Sequence, residues 1–352
     1  MRLLLAVALL LSASADLPFT DVFVSHTLNH FCYRVPNVVR APSGALLVFV
    51  EARGPSCDDQ APKDVMLSRS SDEGSTWSPP QIVVPGFSLG GNLTFRNPYP
   101  VFTASGDLVL QVANSTAEPW VSLQLTSSDE GRTWSPPAPL QRYLGSLDGI
   151  LQGPGSGLLL AQAPNAGRLL ACGTTVYNIG SAQAAVTLSN DRAASWEITQ
   201  VWSASSLPGT RLGECALAEL RNGSVLANFR HEQRNACNCR ITSRSDDGGL
   251  TWSPLVPAPE LIEPVCSAGL LQTAAGLFFS NPASSTGRVS LTVRKSLDGG
   301  ATWPRSLLVY AGSAAYSVLV PVGEPALGAV GVVFERNYNV SIHIAFARVQ
   351  AI

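Results

Sequence analysis

The sequence predicts an all-β protein, a six-bladed β-propeller. Three observations predict it: a short turn motif in five copies, strand-like patterning beside each copy, and a repeat length that divides the chain by six. The motif Ser70-x-Asp72-x-Gly74-x-Thr76-Trp77 recurs as Ser127-x-Asp129-x-Gly131-x-Thr133-Trp134. It returns at Ser245 to Trp252 and at Ser296 to Trp303. A worn copy, Ser189-x-Asp191-x-Ala193-x-Ser195-Trp196, lies between them, and the five copies hold five of the seven tryptophans. Repeats of this kind mark architectures built from stacked or circular units.

Each element of the motif has a structural reason. Asp and Ser side chains satisfy turn backbone groups, Gly tolerates positive φ, and Trp can pack under the turn into a sheet. Val65-Met66-Leu67 before the first copy and Val289 to Val293 before the last are strand-like, so each copy reads as a β-hairpin turn. From Trp77 to Trp303 is 226 residues in four steps, or 56.5 per step. The 337 residues from Asp16 to Ile352 contain 6.0 such steps, enough chain in each for a four-stranded blade. One blade has then lost its motif, and the first and last strands share the closing blade of a single domain, 16–352. The motif resembles the Asp-box of sialidases and of several other β-propeller families. Asp-boxes lie in peripheral turns, so they speak for the fold and not for the function.

Met1-Arg2, the apolar run Leu3 to Leu11 and Ser12-Ala13-Ser14-Ala15 have the form of a secretory signal peptide over residues 1–15. That run is too short to span a bilayer, and no later run reaches the ~20 apolar residues needed. No transmembrane segment is expected. Acceptor sequons at Asn92, Asn114, Asn222 and Asn339 agree with a secreted protein, or one of a lysosomal or other secretory-pathway compartment. Seven cysteines suit an oxidising compartment, and their odd number leaves at least one unpaired within the chain. Cys237-x-Cys239 has no answering Cys-x-x-Cys pair, and the chain holds only four histidines, so no metal site or cofactor is expected.

The formal charge of −2 excludes both a broad basic nucleic-acid footprint and an acidic disordered chain. Of 23 basic residues only Lys63 and Lys295 are lysines. Compositional bias explains such an excess of arginine, and so does a site that grips an anion through planar guanidinium groups.

A set of residues in chain order favours such a site. Tyr33-Arg34-Val35-Pro36 resembles the Arg-Ile-Pro motif at the start of exo-α-sialidases (neuraminidases). Arg53 is followed five positions later by Asp58, where that family places its acid/base carboxylate; Asp59 beside it leaves the assignment open by one residue. Glu214 and Arg230 stand on two segments joined by the turn Asn222-Gly223, a β-hairpin that can bring them to one end. The pair resembles the family's Glu and second carboxylate-binding Arg. Gly287-Arg288 matches the third Arg, with Arg294 as its rival. Gly312 to Ser317 resembles the nucleophile segment with Tyr316, although Val318 departs from the small polar or acidic residue common there. Val332-Val333-Phe334-Glu335 resembles the strand whose Glu supports the first Arg. Arg53 either supports Asp58 or touches substrate. Tyr177 and the segment Phe95 to Tyr99 are further pocket candidates, and Cys32 with Cys57 is positioned either as a disulfide bracing the site or as two loop cysteines.

The resemblance implies a retaining exo-α-sialidase acting on terminal sialic acids of glycoconjugates through a tyrosyl-linked intermediate. The residue types suit that chemistry. Three arginines can hold the sugar's carboxylate by bidentate, charge-assisted hydrogen bonds. An anionic nucleophile 4 Å from that carboxylate would meet repulsion of ~4 kcal/mol at an effective dielectric of 20. A neutral phenol avoids the penalty but needs a base such as Glu214. A trans-sialidase on the same residues, or a non-catalytic propeller binding sialylated glycans, is the alternative.

Overall fold

The computed structural model describes residues 16–117, 120–140, 150–175, 184–202, 206–233, 237–323, 328–350 and 352. The leader expected at 1–15 and Tyr177 lie outside the described residues. Strand β1 (Phe19–Phe23) precedes a sheet of β2 (Cys32–Arg40), β3 (Leu46–Arg53), β4 (Lys63–Ser70) and β5 (Gln81–Val84). A second sheet has β6 (Phe95–Phe102), β7 (Leu108–Asn114), β8 (Val121–Ser127) and β9 (Ala138–Pro139). The third contains β10 (Ile150–Gln152), β11 (Leu158–Leu159), β12 (Leu169–Thr175), β13 (Ala184–Ser189) and β14 (Glu197–Trp202). The fourth has β15 (Leu212–Glu219), β16 (Val225–His231), β17 (Cys239–Ser245) and β18 (Val256–Ile262).

The last sheet has seven strands. It runs through β19 (Gly269–Thr273), β20 (Gly276–Pro282), β21 (Val289–Ser296), β22 (Arg305–Pro321), β23 (Val330–Arg336) and β24 (His343–Val349), and ends on β1. Repeat spacing predicts six separate blades; hydrogen bonding instead gives four separate sheets and this continuous one. The reason lies in β22, which continues for 17 residues. Its first part pairs with β21 as far as Ser313, and its second part pairs with β23 from Ala314 onward. Early strands touch in a closed circuit, β2 with β6, β6 with β10, β12 with β15, β15 with β19, β19 with β22 and β22 with β2. The arrangement is all-β and propeller-like, and no described residue is helical.

All five motif copies occupy the turn between a third and a fourth strand, counting β22 as the fourth of the last copy. In each, the first Ser hydroxyl donates to the Asp carboxylate and accepts an N–H two residues beyond it. The other carboxylate oxygen takes the Thr or Ser hydroxyl. The glycines sit at φ between 78° and 92°, and Ala193 in the worn copy is held at 68°. No copy lies between β24 and β1, which are neighbours in the sheet but not consecutive in the chain.

The apolar core lies between neighbouring sheets. One cluster joins Val38, Val48 and Val50 to Val320, Val333 and Phe346, and another joins Leu47 and Phe49 to Leu108 and Leu110. The motif tryptophans seal these seams: Trp77 meets Phe346 edge-on at 5.5 Å, Trp134 meets Phe49 at 6.1 Å, and Trp252 meets Trp202 at 5.5 Å.

Candidate active site

Strand pairing brings Glu214 and Arg230 together. β15 and β16 run antiparallel with a register shift between Leu212 and Cys215, at the end where Glu214 projects. Arg230 Nη1 donates to Glu214 Oε1 and Oε2 at 2.8 and 2.7 Å. Tyr316 from β22 completes the group: its hydroxyl donates to Glu214 Oε1 at 2.6 Å and accepts Arg230 Nη1–H at 3.0 Å. Burial raises the Tyr316 pKa well above the usual phenol value, and the Glu214 carboxylate adds to it while Arg230 opposes. The phenol is therefore neutral, with its proton directed at a carboxylate.

Glu335 on β23 fixes the other side. Its Oε1 accepts Arg34 Nε–H at 2.7 Å and the Val35 N–H at 2.8 Å, while Oε2 accepts the Tyr316 N–H at 3.2 Å. One fully buried carboxylate thus sets both the first arginine and the tyrosine backbone. Burial acts to lower the Arg34 pKa, but Glu335 more than offsets it, so the guanidinium stays charged. Arg288 joins from just ahead of β21: its guanidinium lies 5.6 Å from the Tyr316 ring centre, and that of Arg34 lies at 5.7 Å. Arg34, Arg230 and Arg288 therefore surround one tyrosine. The rival Arg294 donates to Asn281 instead, at 3.1 Å.

Asp58 stands apart from this group. It is exposed, and its Oδ1 accepts the Gln60 N–H at 2.7 Å. Among the described residues it has no hydrogen bond to Tyr316, Glu214 or the three arginines. Asp59 forms an ion pair with Arg53 at 2.5 Å although its side chain is 67% exposed. Burial acts against Asp59 ionising, but Arg53 outweighs it and lowers the pKa. A carboxylate held ionised by a cation is a poor proton donor, which favours Asp58 of the adjacent pair for acid work. Arg53 itself is 2% exposed, with its nitrogens donating to Glu51, Asp59 and the Cys57 carbonyl, so it supports the Asp58 loop. Disulfides Cys32–Cys57 and Cys172–Cys215 each end beside a candidate carboxylate, Asp58 and Glu214. Cys237–Cys239 is a third pair, and Cys266 is the buried free thiol, its pKa pushed up to about 12 by burial.

Several contributors were not read from the sequence. Glu51 is fully buried between Arg53 and Lys63, the latter at 3.3 Å, and accepts the Asn97 N–H at 2.9 Å. Burial would raise its pKa, yet Lys63 and Arg53 outweigh that and lower it to about 2. Lys63, in turn, is lowered by burial to about 8. Two signals pointed here: Glu51 and Arg53 alternate onto one face of a strand, and Lys63 is one of only two lysines. Arg240 and Glu263 form a buried pair at 2.6 Å. Arg240 also donates to Asn228 and the Cys266 carbonyl, and Glu263 accepts the His231 N–H, so together they hold the backbone on both sides of Arg230. Tyr338, between β23 and β24, lies against Arg34 and Arg288. Within the segment Phe95 to Tyr99, Arg96 ties Ser115 to the Asp59 carbonyl and stacks on Trp120 at 5.1 Å, whereas Tyr99 is buried packing.

Comparison with known proteins places this geometry in a family. The chain is 29% identical over 344 residues to a sialidase of Micromonospora viridifaciens, covering 88% of this chain and 50% of the relative. A sialidase of Bacteroides fragilis is 26% identical, with 85% of this chain and 60% of the relative covered. The chain therefore spans about half the length of the curated relatives it matches. Among solved structures, a Hadza microbial sialidase superposes with a TM-score of 0.81 at 26% identity, over 94% of this chain and 68% of that one. A leech intramolecular trans-sialidase shares the fold with a TM-score of 0.75 at 16% identity, over 95% and 70% of the two chains. The model of the BNR repeat-like domain matches residues 44–332, and the chain belongs to that family.

Proposed function

We propose that the protein is a retaining exo-α-sialidase that releases terminal sialic acids from glycoproteins, glycolipids or oligosaccharides, without a cofactor. The observation that carries this reading is the Tyr316 hydroxyl, donating at 2.6 Å to Glu214 while Arg230 touches both. Arg34, Arg230 and Arg288 bind the substrate carboxylate, which lies on the anomeric carbon and so brings that carbon to Tyr316. The phenol oxygen attacks the anomeric carbon as Glu214 takes its proton. Asp58 protonates the departing glycosidic oxygen, leaving a tyrosyl-linked sugar. Water then attacks with Asp58 as base, and Glu214 returns a proton to the tyrosine. Two displacements at one carbon give net retention.

The closed circuit of strands supports a ring of six four-stranded units in which β22 serves two of them. The leader-like residues 1–15, the disulfides and the exposed Asn92, Asn222 and Asn339 sequons support export through the secretory pathway.

The test is release of fluorophore from a 4-methylumbelliferyl sialoside by the purified chain beside its Tyr316→Phe variant. Turnover in the parent and a loss of at least about 10³-fold in the variant are expected, since a phenyl ring cannot form the intermediate. Absence of turnover between pH 4 and 8 with several sialic acids, alongside retained sialoside binding, would make the protein a lectin-like propeller. Product transferred to added lactose in preference to water would make it a trans-sialidase.

A further inference from the structure

Tyr338 lies against two of the three arginines of the cluster. Its ring centre lies 5.0 Å from the Arg34 guanidinium carbon and 4.9 Å from that of Arg288, so each of the two guanidiniums contacts both Tyr316 and Tyr338. The Tyr338 hydroxyl accepts Arg288 Nη1–H at 2.9 Å. Arg288 Nη2 is turned to the Val265 carbonyl at 3.1 Å, and Arg34 Nε is committed to Glu335. The Nη1 edge of Arg288 that Tyr338 occupies is thus one that an incoming carboxylate would use.

The backbone aims this ring into the site. Tyr338 N–H donates to the Ser313 carbonyl at 3.3 Å. Asn337 before it holds a left-handed φ of 54° and accepts the Tyr310 hydroxyl at 2.7 Å. Beyond Tyr338 the turn is open to solvent, with Val340 91% exposed. A neutral hydroxyl is a weaker acceptor for a guanidinium than a carboxylate is.

We infer that Tyr338 is a specificity-determining residue whose hydroxyl occupies Arg288 in the free protein and yields it to the ligand's carboxylate, while its ring holds Arg34 and Arg288 in place. The inference rests on the reading of the arginines as a carboxylate site. The hydroxyl sets a threshold: an anion able to displace it binds, and a neutral analogue does not recover the lost bond.

Tyr338→Phe and Tyr338→Ala in the full chain test this. The probes are the 4-methylumbelliferyl sialoside for kinetics, and 2-deoxy-2,3-didehydro sialic acid with its carboxamide for direct binding. Removing the hydroxyl alone should lower KM and the Kd of the acid by about three- to tenfold, the worth of one such hydrogen bond, with little effect on the amide. Removing the ring should raise both and shrink the preference for acid over amide. An acid Kd that rises or stays fixed in Tyr338→Phe overturns the inference. The binding arm reads Tyr338 even if the parent shows no turnover, so failure of the hydrolase reading and failure of this one are separable.

Discussion

A single carboxylate, Glu335, holds three donors from two strands, and its loss would be felt at both ends of the reacting group. Glu335→Gln keeps the shape but removes the charge facing Arg34. A drop in kcat/KM of about 10- to 100-fold is expected with unchanged circular dichroism, the cost of losing one charge-assisted bond. At this scale the sequence was most legible where the residue type was chemically unusual for its position. A Tyr, a Glu and three Args spaced along hairpins pointed to one chemistry, and the structure brings those side chains within contact. Asp58 was legible only as one of two adjacent acids, of which Asp59 is the one paired with Arg53. Tyr338 and Glu51 escaped because an aromatic in a turn, or an acid alternating with an arginine in a strand, usually means packing or a solvated pair. Only tertiary neighbours give them another meaning.

Among elements, the hairpin turns repeat one hydrogen-bond scheme while their tryptophans do different jobs. Trp196 is the most buried of the five, and its Nε1 donates to Gln124 on β8 at 2.9 Å, joining the third sheet to the second. Trp196→Ala should therefore cost about 3–5 kcal/mol, read as a lower urea midpoint, because it opens a cavity and leaves Gln124 short of a partner. The turns were fully legible, since Ser, Asp, Gly and Trp each answer a local backbone demand. Sheet boundaries were less so. Spacing counts turns, and nothing local in Arg305–Pro321 says that one strand will pair on both sides of the same point. Ala193 shows the limit from the other direction: the turn tolerates a left-handed alanine because the Ser189 and Asp191 bonds are all retained.

For the whole molecule, acid is the informative stress. Glu51 is depressed to about 2 in the folded protein, so its contribution is present above its unfolded value near 4.3 and is lost as pH falls toward 2. The loss is on the order of 3 kcal/mol, and unfolding midpoints followed from pH 5 to pH 2.5 should fall more steeply for the parent than for Glu51→Gln. The all-β, propeller-like class was legible because a repeat fixes architecture before any strand is placed, whereas six separate blades were not, since β22 joins two sets of strands in one sheet. The first and last strands were expected in one set, and β1 pairs antiparallel with β24. The long strand β22 has a further consequence for the order in which the molecule opens. Four sheets can loosen one at a time, whereas β22 carries a ladder to β21 up to Ser313 and a ladder to β23 from Ala314 onward, so it ties two sets of strands into one. The Tyr316 amide, bonded to the buried Glu335 carboxylate, should exchange with solvent more slowly than the amides of the edge strands β5 and β9, which open by local fraying. The tyrosine proposed as nucleophile is thus carried where two ladders meet, on a strand anchored at both of its ends.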